Sequence, residues 1–118
     1  MKVYFRVDAS IHIGSGHVMR CLALADVLQK CGNVVVFVMR PQTGDFCDYI
    51  ANIGFKVERL PQPNEWLVPK NTSDYQAWLQ FPLLKDAEAF SSVAADADLV
   101  VIDHNGINAD WESLIKSR

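Results

Sequence analysis

No stretch of this sequence is apolar for long enough to cross a bilayer as a helix. The longest apolar run, Val34 to Met39, falls far short of the roughly 20 residues that a spanning helix needs. Lysine and arginine nowhere cluster and the net charge is −3, so neither a nucleic-acid nor an anionic-membrane surface is indicated. Cysteine is scarce: Cys21, Cys31 and Cys47 are odd in number and include no Cys-x-x-Cys pair. That argues against a disulfide framework and against a zinc site, and fits reduced thiols in a cytoplasmic protein. Cys21 falls on an apolar helix face, where a thiol behaves as a small hydrophobe. The start, Met1-Lys2 running straight into a strand that carries Arg6 and Asp8, does not read as a signal peptide. The chain holds no internal repeat and no low-complexity tract.

What is present is an ordinary globular composition: 118 residues, 50 % of them hydrophobic and 21 % charged. The length fits one domain, able to bury a core without metals or disulfides. Val3 to Val7 is β-rich and reads as a first strand. A loop with two glycines, Asp8 to Gly16, follows. From His17 the period changes: Val18, Cys21, Leu22, Ala25 and Leu28 mark one face of an amphipathic helix, which Gly32 stops. Val34 to Met39 reads as a strand buried on both faces, as in a parallel sheet. A short helix over Asp45 to Ile53, a third strand over Phe55 to Leu60 and a long Pro-rich connection come next. Lys85 to Ala95 is helical in composition, Leu99 to Ile102 is a fourth strand, and Asp110 to Lys116 begins another helix.

Strands alternating with helices predict an α/β fold: a Rossmann-like parallel sheet with helices on both faces. Ligands of such sheets bind beyond the carboxyl ends of the strands. Two segments fall on that rim, the loop after the first strand and the Asp103-His104 turn after the fourth. Gly14, Ser15 and Gly16 precede a helix start, whose free N–H groups suit a phosphate or a developing oxyanion. A dinucleotide fingerprint would place a third glycine where Met19 stands, and Arg40 ends the second strand where an acidic residue would hold a ribose. An oxidoreductase reading is therefore weak.

His17 lies in the first helical turn, where the helix N-terminus disfavours an imidazolium and leaves a neutral imidazole able to take a proton from water. Read from position alone, it can equally be a helix-end histidine that only bonds nearby backbone. Asp8 and Asp103 can orient an imidazole or a substrate hydroxyl, or merely cap their loops. His104 adjoins Asp103 on the same rim. Arg20 can meet a phosphate or sit in solvent. Tyr75 and Trp78, three apart, can stack on a sugar ring or cover a core edge.

The run Arg6-Val-Asp8-Ala9-Ser10-x-x-Ile13-Gly14-x-Gly16-His17-x-x-Arg20-Cys21-Leu22-x-Leu24-Ala25 resembles the start of the pseudaminic acid pathway hydrolases. These are UDP-2,4-diacetamido-2,4,6-trideoxy-β-L-altropyranose hydrolases, known in some bacteria as spore-coat polysaccharide biosynthesis proteins. Arg40-Pro41, Gly54-Phe55-x-Val57, Asp74-Tyr75-x-x-Trp78-Leu79, Asp86-Ala87, Val101-Ile102-Asp103-His104-x-Gly106 and Trp111-Glu112 follow in the same register. The resemblance implies a GT-B-like fold of two Rossmann-like domains, with residues 1–118 as the amino-terminal one. It implies release of UDP from the sugar at the anomeric carbon, with no metal or other cofactor. His17 would activate the water. Asp8, Gly14, Ser15, Gly16, Arg20, Tyr75, Asp103 and His104 would serve the substrate. In the family a second, carboxy-terminal domain supplies most uridine and diphosphate contacts. This chain stops before any such domain, which reads as a fragment, a separate domain or a truncated product.

Three positions depart from the family pattern: Asn105 stands for a usual Tyr, Asn108 for a common Asp and Gln80 for a frequent Gly. They bear on substrate detail more than on reaction type. Two alternatives remain beside the hydrolase: the acceptor-binding domain of a GT-B glycosyltransferase, and a non-catalytic sugar-binding fragment.

Overall fold

The structure, a computed structural model, describes residues 1–116. Its elements alternate: β1 (Lys2–Val7), α1 (Gly16–Lys30), β2 (Val34–Met39), α2 (Cys47–Asn52), β3 (Lys56–Arg59), α3 (Tyr75–Leu79), α4 (Leu83–Val93), β4 (Leu99–Asp103) and α5 (Ala109–Lys116). The four strands form one sheet in the order β3-β2-β1-β4, and every neighbouring pair is parallel. Tyr4 at the centre lies between Val36 and Val100. This is the Rossmann-like architecture that the alternation predicts.

Strand side chains alternate between faces, and the two faces have separate cores. Val3, Phe5 and Val7 join Val35, Phe37 and Met39 against Val18, Cys21, Leu22 and Ala25 of α1 and Ile50 of α2. On the other face Tyr4, Val36 and Val38 meet Ala87 and Phe90 of α4 and Trp111 of α5. Both faces are thus covered, which explains why β2 is continuously apolar. Gly32 has φ +89°, so it is the left-handed residue that closes α1.

The second core has a charged heart. Arg6 and Asp86 are fully buried and pair through two bonds, Nη2 to Oδ1 at 2.7 Å and Nε to Oδ2 at 3.1 Å. Arg40 Nη2 and the Trp111 indole N–H also donate to Asp86, at 2.5 and 2.9 Å. One carboxylate on α4 therefore ties β1, the end of β2 and α5 together. The Arg40 guanidinium lies 4.2 Å over the Phe81 ring.

Candidate active site

The strand order places β1 beside both β2 and β4. The chain leaves β1 toward β2 and returns to β4 on the opposite side, and in such sheets the ligand crevice lies at that switch point, the carboxyl ends of β1 and β4. His17, in the first turn of α1, and Asp103, the last residue of β4, meet there. His17 Nδ1 lies 2.5 Å from Asp103 Oδ1. A carboxylate only accepts, so this bond requires the imidazole proton on Nδ1. Nε2 then keeps its lone pair, and among the described residues it has no hydrogen-bond partner.

Arg20, one turn further along α1, grips the same carboxylate: Nε to Oδ2 at 3.1 Å, and Nη2 at 2.9 Å from each oxygen. Its Nη2 is also 3.2 Å from His17 Nδ1. If Nδ1 were bare, Arg20 could donate to it, but the Asp103 oxygen would then face its lone pair without a proton between them. The shorter carboxylate contact decides for the protonated Nδ1. Burial pushes the Asp103 carboxyl up, but bonds from Arg20 and His17 outweigh it and hold the group below the usual carboxylate range. Cys21 Sγ lies 3.9 Å from Asp103 Oδ2, and burial beside that carboxylate pushes the thiol up to about 12. Cys21 is therefore no thiolate nucleophile at neutral pH.

A wall closes one side of the pair. Trp78 of α3 meets His17 edge-on, with ring centroids 6.3 Å apart, and Tyr75 packs against Trp78 at 4.7 Å. Gly106 makes this packing feasible: a Cβ there would come within 2.5 Å of the Tyr75 carbonyl oxygen and 3.0 Å of the His104 ring. Gly14 has φ +79°, as its loop requires, and its N–H donates to Ser10 O at 2.9 Å. Ser15 and Gly16 are exposed at the start of α1, and the Ser15 side chain makes no capping hydrogen bond there. A Cβ on Gly16 would meet nothing within 4 Å.

Asp8 and His104 are placed differently. Asp8 is 1 % exposed, and its oxygens are taken by Arg6 Nη1 at 2.8 Å, the Arg40 N–H at 2.8 Å and His104 Nε2 at 3.0 Å. Burial raises its pKa, but Arg6 and His104 more than reverse that, so it stays ionised. His104 Nδ1 accepts from the Gly106 N–H at 2.9 Å, which fixes the proton on Nε2. Both side chains sit behind the crevice and brace the turn that supports α3. Of the residues that sequence pattern singles out, the fold brings together His17, Asp103 and Arg20, with Tyr75 one ring away. Sequence reading gave Trp78 no more weight than Tyr75. It also missed α3 itself and the pairing of Arg6 and Arg40 with Asp86. A charged residue flanked by Phe5 and Val7 inside a strand is the signal that marks Arg6. Among the described residues no three His, Cys, Asp or Glu side chains are arranged to hold a metal ion, and no helix is long and apolar enough to cross a membrane.

One curated protein is similar to this chain. It is the UDP-2,4-diacetamido-2,4,6-trideoxy-β-L-altropyranose hydrolase of Campylobacter jejuni, 35 % identical over 116 residues. The match takes in 98 % of this chain but 32 % of that protein, so the chain spans about a third of the relative's length. The relationship is distant. No family model matches.

Proposed function

We propose that this chain is the amino-terminal, catalytic-base half of a GT-B-like nucleotide-sugar hydrolase. The substrate is a UDP-linked 2,4-diacetamido-2,4,6-trideoxy sugar, as the resemblance and the relative's name suggest. The observation that carries the reading is the His17–Asp103 pair at the crevice, with Nδ1 committed to the carboxylate and Nε2 free. His17 Nε2 takes a proton from water. The water oxygen bonds to the anomeric carbon as the bond from that carbon to the phosphate oxygen breaks, and UDP leaves with the electron pair. The proton on His17 passes to solvent. Asp103 holds the imidazole in the required tautomer and steadies the imidazolium, a role familiar from other histidine bases. Arg20 fixes Asp103, and the amides of Ser15 and Gly16 face the leaving phosphate. Asp8 and His104 act as positioning residues beneath the turn. A second domain, outside this chain, would complete the cleft and hold uridine.

The test is UDP release from that sugar nucleotide without acceptor, by this chain and by any longer reading frame that contains it. Release that disappears in His17→Ala, with the fold intact, supports the reading. Release that needs a sugar acceptor identifies a glycosyltransferase instead. Ligand binding without turnover in either protein identifies a binding fragment.

A further inference from the structure

The sheet has two edges, and they are protected unequally. On β3, Lys56, Glu58 and Arg59 are charged, with Lys56 Nζ 3.4 Å from Glu58 Oε1 and Arg59 Nη2 2.9 Å from Asp48 Oδ1. Charges of this kind keep a free edge from pairing with another chain. On β4, Leu99-Val100-Val101-Ile102 carries no charge until Asp103 closes the strand. Among the described residues no strand lies beyond it. Its neighbour β1 is buried to 0–3 % exposure from Val3 to Val7, whereas Val100 to Asp103 are only partly buried and Leu99 is 43 % exposed.

An uncovered strand edge selects its occupant through backbone chemistry. Every second residue of β4 turns its N–H and C=O away from β1, and another strand answers both groups at once. A second copy of β4 fits because the edge is self-complementary. Antiparallel pairing about a two-fold axis at Val101 sets Val100 opposite Ile102 and Leu99 opposite Asp103. Each residue then faces one of the same parity, so outward groups meet outward groups along the whole strand. The side chains agree. Val101 lies on the face that α1 covers, while Val100 and Ile102 lie on the face of α4 and α5. A two-fold axis normal to the sheet keeps each face continuous across the join. Asp103 belongs to the α1 face as well, where His17 and Arg20 hold it. Its side chain is 22 % exposed, and the partner's Leu99 comes to lie beside it at the Cβ spacing of a cross-strand pair, about 5 Å.

We propose that two copies of this chain pair through β4, joining their sheets into one, and that each copy's Leu99 borders the other's His17–Asp103 site. The pairing does not depend on which reaction that site performs. Sedimentation velocity over a concentration series is expected to show a monomer–dimer equilibrium. Leu99→Asp sets like charges opposite each other at both ends of the join and weakens association by about tenfold, with the circular dichroism spectrum unchanged. Leu99→Lys faces the same Asp103 and keeps the dimer. Val101→Cys, combined with Cys31→Ser to remove the exposed thiol, forms an intermolecular disulfide on mild oxidation, because the two Cα atoms at the axis stand about 4.5–5.5 Å apart. Val100→Cys in the same background faces Ile102 and does not cross-link. Should Leu99→Asp fail to fold, the two cysteine variants decide. A monomer at every concentration, equal losses in Leu99→Asp and Leu99→Lys, or cross-linking through Val100→Cys in preference to Val101→Cys overturns the proposal.

Discussion

Asp86→Asn is the sharpest test of how the second core is held. Asp86 is fully buried and accepts four bonds, two on each oxygen: Arg6 Nη2 and Arg40 Nη2 on Oδ1, Arg6 Nε and the Trp111 indole on Oδ2. Asparagine must turn its NH₂ toward one of these pairs of donors, so two bonds become donor-to-donor contacts. Hydrogen bonds to charged groups contribute about 1.5–3 kcal/mol each, which gives a loss of about 3–6 kcal/mol. Charge leads to a similar figure. Two buried guanidiniums, Arg6 and Arg40, would be left with Asp8 as their one buried carboxylate, and breaking a buried pair costs about 3–5 kcal/mol. At about 4 °C per kcal/mol for a domain of this size, the midpoint falls by roughly 12–24 °C. Circular dichroism melts and urea titrations read this directly. Arg6→Met and Asp86→Leu should each cost a comparable amount alone, and the double variant less than their sum, because it removes both charges together. A loss under about 1 kcal/mol for Asp86→Asn, or strict additivity in the cycle, would refute the reasoning.

Gly106→Ala brings a Cβ within 2.5 Å of the Tyr75 carbonyl oxygen, a backbone atom that cannot rotate away. The expected result is a loss of about 1–3 kcal/mol and a changed tryptophan emission as α3 shifts, and unchanged melting and emission would contradict it. Asp8, Asp86 and Asp103 all have folded pKa values held below the ordinary one. Their stabilisation is fully present above the unfolded value near 3.9 and is lost as pH falls through the folded values. The melting midpoint should therefore drop steeply below about pH 4, and a midpoint that rises on acidification through that range would oppose this. Asp103→Asn should leave substrate binding close to wild type and lower turnover by a factor on the order of 10²–10⁴, since the wrong tautomer is then favoured at His17. If KM rises while kcat holds, Asp103 binds substrate instead.

Much of this fold is legible in the sequence because burial imposes periodicity. The apolar Val34–Met39 run and the Val18, Cys21, Leu22, Ala25 stripe announce β2 and α1, whose observed limits differ by a residue at most. The pairing of His17 with Asp103 is harder to see, although both residues stand on the rim that strand alternation predicts. It depends on β4 lying beside β1, and an element list does not fix strand order. Helix α3 is hidden for another reason. Five residues are too few to display a helical period, and Tyr75–Leu79 is held by contacts with His17 and Gly106. Asp8 illustrates the limit of reading by position. It directly follows β1 on the correct rim, but Arg6, Arg40 and His104 enclose it, and only the folded arrangement shows that.

The most direct test of the central claim is hydrolysis of the UDP-linked diacetamido-trideoxy sugar in H₂¹⁸O, by this chain and by any longer reading frame that carries it. If His17 delivers water to the anomeric carbon, the label appears in the sugar's anomeric hydroxyl and not in UDP, and His17→Ala removes both label and product. Label in the phosphate of UDP, or undiminished turnover in His17→Ala, would contradict the account.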